Sequence, residues 1–117
     1  MEKINGYEDT LRVIKDALED KLGTDIKILN IGNISSLADY FVIATGNNKR
    51  QIVTMAEEVE KKMKEGGEFE QLNAEGMKTG DWSLLDFGQI IVHIFDSETR
   101  KFYDLERTWG DAEIVTL

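Results

Sequence analysis

No cysteine and no proline occur among the 117 residues, histidine occurs once, and lysine and arginine total 14 against 23 aspartates and glutamates. Without cysteine there is no disulfide framework, no thiolate nucleophile and no cysteine-rich zinc site, a composition that fits a reducing compartment. The formal net charge of -9 weighs against broad contact with nucleic-acid phosphates, because such binding draws its affinity from lysine and arginine displacing counterions. Any approach to RNA is therefore expected through a basic protein partner. No apolar run nears the roughly 18 residues needed to cross a bilayer. The segment from Glu2 to Asp20 is studded with charges, too polar for a signal peptide and too acidic for an organelle transit sequence, so the expected location is cytoplasmic. What is present is 41% hydrophobic residues, enough at this length for one core, and residues 1–117 are read as a single domain.

Hydrophobic spacing divides the chain into elements. Tyr7, Leu11, Ile14, Leu18 and Leu22 recur at helical steps with charged residues between them, which predicts a helix over about 6–22. Asn5 with Glu8 suits a capping box at its start and Gly23 a cap at its end. Asp25 to Ile31 reads as a strand, and Tyr40-Phe41-Val42-Ile43-Ala44-Thr45, apolar almost without a break, reads as a central strand covered on both faces. After Gly46-Asn47-Asn48 a second helical period turns Ile52, Met55, Ala56, Val59 and Met63 inward, with Glu57/Lys61, Glu58/Lys62 and Glu60/Lys64 paired outside and Gly66-Gly67 as the stop. Strands follow near 69–74, 81–87 and 90–96, the last two joined tightly through Phe87-Gly88-Gln89. A final helix is expected from Ser97, as its N-cap, to about Thr108, with Phe102 and Leu105 inward and Tyr103 half-exposed. The order α-β-β-α-β-β-β-α predicts an α/β (α+β) fold, a mixed sheet of about five strands flanked by helices.

Chemistry has little local support. The scattered glycines form neither a G-x-G-x-x-G loop nor a phosphate-wrapping Walker pattern, no serine sits in a G-x-S-x-G elbow, and there is no D-x-D pair to hold a divalent cation. His93 with Asp86 and Asp96 is a set from which a general base oriented by a carboxylate could be drawn, and Asp39, Asp86 and His93 are the set for a metal-assisted nucleotidyltransferase-like site. No cofactor and no metal are expected. The strands Asp81–Phe87 and Ile90–Phe95 are apolar in both parities, Trp82 and Leu84 in one, Leu85 and Phe87 in the other, so both sheet faces need cover. Two arrangements satisfy this pattern: helices wrap both faces and Trp82 is core, or part of the second face is an apolar patch that meets another protein.

Ser35-Ser36-Leu37-Ala38-Asp39-Tyr40-Phe41-Val42-Ile43-Ala44-Thr45-Gly46, Trp82-Ser83-Leu84-Leu85-Asp86-Phe87-Gly88, Val92-His93-Ile94-Phe95 and Phe102-Tyr103-Asp104-Leu105-Glu106-Arg107-Thr108-Trp109-Gly110-Asp111-Ala112, in this order, resemble the Iojap family, the ribosomal silencing factors. The resemblance runs from about residue 7 to 112. It implies a nucleotidyltransferase-like fold without catalytic acids, commonly a homodimer. It also implies binding to the large ribosomal subunit through large-subunit protein fourteen, which sterically blocks joining of the small subunit and represses translation. Position by position it implies partner contacts at Trp82, Leu84, Asp86, Phe87, His93 and Glu75, and a peripheral ribosomal RNA contact at Lys49 and Arg50. Trp109 is implied as a tertiary anchor or part of the dimer contact. Thr108 departs from the apolar residue the family often has there, and Phe87 from a common tyrosine. A general adaptor for some other basic protein is the third class of function that the composition allows.

Overall fold

The computed structural model describes residues 2–66, 71, 73–75 and 82–117. The chain opens with α1 (Glu2–Asp20) and then β1 (Thr24–Asn30), β2 (Tyr40–Thr45) and α2 (Lys49–Gly66). These are followed by β3 (Asn73–Glu75), β4 (Trp82–Asp86), β5 (Ile90–Phe95), α3 (Ser97–Tyr103), α4 (Leu105–Thr108) and β6 (Glu113–Val115). The strands form one six-stranded sheet in the order β3-β4-β5-β2-β1-β6. Among the described residues only β2 and β5 run parallel; every other pairing is antiparallel. A parallel pair needs a crossover, and α2 lies in the connection that supplies it. The predicted α+β arrangement and the central place of β2 both hold. Gly67, residues 69, 70 and 72 of the expected third strand, and Asp81 lie outside the described residues.

Several expectations are corrected. The first helix begins at Glu2, so Asn5 stands inside it and not at its cap. At the far end the left-handed residue is Leu22, with φ 65°, and Gly23 plays a different part. The Leu22 amide bonds to the Glu19 carbonyl and the Gly23 amide to the Leu18 carbonyl, both at 2.9 Å, a Schellman closure. Gly23 is needed for room: a Cβ there would stand 2.5 Å from Met55 Cε and 2.9 Å from the Leu18 carbonyl oxygen. The expected last helix is two helices, broken at Asp104, whose φ of 49° and ψ of 52° are left-handed and tolerable for aspartate. The cap of α3 is Asp96, not Ser97; its carboxylate accepts from the Thr99 amide at 2.7 Å. Phe102 points outward and is 81% exposed. β6 is a sixth strand that spacing did not predict.

Alternation in the strands gives the sheet two distinct faces. Val42, Ala44, Leu85, Val92, Ile94 and Ile28 pack with Leu11, Ile14 and Leu18 of α1 and Ile52, Met55, Val59 and Met63 of α2, forming the larger core. The opposite face carries Leu29, Phe41, Ile43 and Phe95, against which Trp82, Ile91, Leu105, Trp109 and Ala112 pack. The larger core is closed where α2 begins: Asn48 accepts from the Gln51 amide at 2.8 Å, the Gln51 side chain accepts from the Asn47 amide at 2.6 Å, and its amide nitrogen donates to the carbonyls of Lys21 and Leu22 at 3.0 Å. One glutamine thus caps α2 and joins it to the end of α1. Of the three predicted outward pairs on α2, Glu58 and Lys62 approach to 3.8 Å.

Candidate docking surface

Register places the site. Glu75 of β3 pairs with Leu84, Leu84 with His93, His93 with Ile43, and Ile43 with Lys27, so these residues form one row across the second face. On one side of that row lies Trp82–Phe95–Thr45, and on the other Asn73–Asp86–Ile91–Phe41–Leu29–Ile114. Trp82, Leu84 and Asp86 therefore share the face away from α1 and α2. They are half-buried, and Glu75 beside them is exposed. Phe87 does not join them. It is one residue out of phase, 2% exposed, and belongs to the core under α1 and α2. The tyrosine it replaces in the family pattern thus corresponds here to an interior position.

The second face is covered only in part, and the cover is aromatic. Trp82 lies over Phe95 with ring centroids 5.4 Å apart, and Tyr103 of α3 closes on Trp82 at 4.8 Å. Trp109 meets Phe41 edge-on at 5.5 Å, the tertiary-anchor role. Tyr103 remains 44% exposed, so apolar surface from α3 continues that of Trp82 outward. The α3–α4 unit is fixed to the sheet by Arg100, a residue that hydrophobic spacing did not single out. Its guanidinium donates to the Asp25 carbonyl at 2.6 Å, to Thr45 Oγ1 at 2.7 Å and to Glu106 Oε1 at 3.0 Å. The Glu106 carboxyl is held below the usual carboxylate range chiefly by that bond from Arg100. A charge inside a helical period is skipped when only apolar residues are counted, which is why Arg100 was missed.

His93 is 5% exposed. Phe41 meets it edge-on at 4.8 Å, and Trp82 and Phe95 stack beside it at 6.0 and 5.9 Å. Its Nδ1 accepts from Trp82 Nε1 at 3.3 Å. Burial among these rings pushes its pKa down to about 4, so it is neutral at physiological pH. Asp39 is occupied elsewhere, accepting from the Tyr7 hydroxyl at 2.6 Å, and burial together with that bond raises the tyrosine to about 12. Asp86 accepts from the Gly88 amide at 2.8 Å and shapes the hairpin to β5, where Gly88 takes a φ of 84°. Asp39, Asp86 and His93 thus have three separate duties. Among the described residues no three histidine, aspartate or glutamate side chains converge in a way that could hold a metal ion. Lys49 and Arg50 are exposed at the start of α2, a helix on the other side of the sheet from Trp82.

Among the described residues the second face is thus half-covered, with Trp82 at one end of the strip and Asp86 and Glu75 along it. The family model described as "Ribosomal silencing factor during starvation" matches residues 5–117. The chain is 40% identical over 103 residues to the ribosomal silencing factor of Zymomonas mobilis, covering 88% of this chain and 77% of that one. It is 36% identical over 110 residues to that of Halalkalibacterium halodurans, covering 94% and 93%. A crystal structure of a Chromobacterium violaceum protein superposes with a TM-score of 0.85 at 35% identity, over 88% of this chain and 85% of that one. Family model, full-length relatives and fold agree, and the chain belongs to the ribosomal silencing factor (RsfS/Iojap) family.

Proposed function

We propose that this protein docks the open part of its second sheet face onto large-subunit protein fourteen of the ribosome, and that its bulk then keeps the small subunit from joining. The members of its family are non-catalytic regulators of translation, and steric occlusion requires no chemistry. The observation that carries the reading is Trp82: a large aromatic on β4, half-buried, backed by Phe95 and Tyr103, with Leu84, Asp86 and Glu75 along the same face. Tryptophan backed by rigid neighbours is the side chain that most often dominates an interface. Acids beside an apolar strip suit a basic partner, steering its approach and setting its orientation. The frame is taken as nucleotidyltransferase-like without its acids, the site of action as the cytoplasm and the resting form as a homodimer. Lys49 and Arg50 supply at most a peripheral RNA contact.

The test is co-sedimentation of Trp82→Ala with purified large subunits. The expected loss is at least ~2 kcal/mol, a hot-spot magnitude, with the fold retained. Undiminished co-migration refutes the role of Trp82. In a reconstituted joining assay, saturating protein should leave the two subunits apart; normal joining refutes occlusion altogether.

A further inference from the structure

His93 shares the docking face in register but does not reach its surface. The atom that matters is Nδ1. Because it accepts from Trp82 Nε1, it carries no proton, and the neutral ring keeps its proton on Nε2. Nε2 is buried and has no hydrogen-bond partner among the described residues. A buried donor left unpaired costs stability, and a phenylalanine or leucine would fill this aromatic surround without that cost. What they would not provide is an acceptor where the edge of the Trp82 indole arrives.

The register explains why such an acceptor matters. Trp82 stands opposite Phe95, while His93 stands opposite Leu84, so Trp82 and His93 are diagonal neighbours on antiparallel strands, a separation that aromatic side chains can bridge. Stacking on Phe95 and the tilted contact with Tyr103 give the indole area but leave it free to slide and turn in its own plane. A hydrogen bond at Nε1 removes that freedom. An anchor already held in one orientation loses less entropy when the partner closes on it.

We propose that His93 is a positioning residue, which holds the Trp82 indole in one orientation through the Nε1–H···Nδ1 bond and does not itself touch the partner. This rests on Trp82 being the docking anchor, and the experiment separates the two ideas. His93→Phe keeps a ring and removes the acceptor; His93→Asn returns an acceptor oxygen near the place of Nδ1. For each full-length variant, NMR measures hydrogen exchange and ordering of the Trp82 indole N–H, and co-sedimentation measures affinity for purified large subunits, with Trp82→Ala alongside. In His93→Phe the indole N–H should exchange roughly tenfold faster and affinity should fall roughly fivefold to tenfold, the size of one lost hydrogen bond. His93→Asn should recover most of both.

An indole equally protected and ordered in His93→Phe overturns the inference, whatever its affinity. Full affinity in His93→Phe beside weakened Trp82→Ala also overturns it and leaves the docking surface standing. Full affinity in Trp82→Ala overturns the docking surface, and the positioning role with it. If the phenylalanine variant does not fold, His93→Leu serves as the acceptor-free variant and is judged in the same way.

Discussion

Two buried nitrogen-bearing side chains solve the same problem in opposite ways. Arg100 brings its guanidinium to the Asp25 carbonyl, Thr45 and Glu106 as acceptors. Among the described residues His93 meets one donor and otherwise aromatic rings and apolar side chains, so it gives its charge up. The consequence is a defined pH response. In the unfolded chain His93 titrates near 6.5, and in the fold it is held at about 4, so between these values the unfolded chain binds a proton that the folded one refuses. The stability due to neutral burial is whole above about pH 6.5 and drains as pH falls toward about 4. Urea unfolding at pH 7 and pH 4.5, compared between the wild type and His93→Phe, should show the wild type losing on the order of 2 to 3 kcal/mol more, since the carboxylates common to both cancel. Equal losses would place the histidine in a wetter site than its surroundings indicate. At this scale the sequence already paired Trp82 with Leu84 by parity. Parity also set Phe87 apart from Trp82; Phe87 entered the contact set through the position-by-position resemblance, which does not weigh alternation.

At the scale of elements, the regular periods were the legible ones. α2 and β2 came out close to where apolar spacing placed them, since α2 buries one continuous stripe and β2 a continuous run between neighbouring strands. The segment after β5 did not. Apolar counting put Phe102 and Leu105 on one inward face, but α3 turns Arg100 and Tyr103 to the sheet, three residues apart, and the left-handed turn at Asp104 resets the phase before Leu105. Phe102→Ser should accordingly change folding stability by no more than about 0.5 kcal/mol, as expected of an exposed position. Denaturant unfolding checks this, and a loss above ~2 kcal/mol would return Phe102 to the core. β6 escaped notice for another reason: Glu113–Val115 is too short to show a period, and its strand character comes from pairing with Ile28, Leu29 and Asn30.

For the whole molecule, charge and asymmetry matter together. A net charge of -9 on a body whose proposed docking strip carries Glu75 and Asp86 should speed encounter with a basic partner. The association rate with large subunits, followed by stopped flow, should therefore drop several-fold between roughly 50 and 200 mM salt while dissociation changes little. A salt-independent rate would assign the acids to solubility alone. The asymmetry was only half visible in the chain. Length, absence of cysteine, helical periods, apolar strands and four ordered segments sufficed for the α+β class and the family, because each is a local property of consecutive residues. Which strand face α1 and α2 would claim, that α3 and α4 would leave the other half open, and that His93 would lie beneath Trp82 followed only from the sheet order and register. The hairpin that sets β4 beside β5 is local, but β5 comes beside β2 across a long stretch of chain, and no local pattern encodes a contact between residues so far apart.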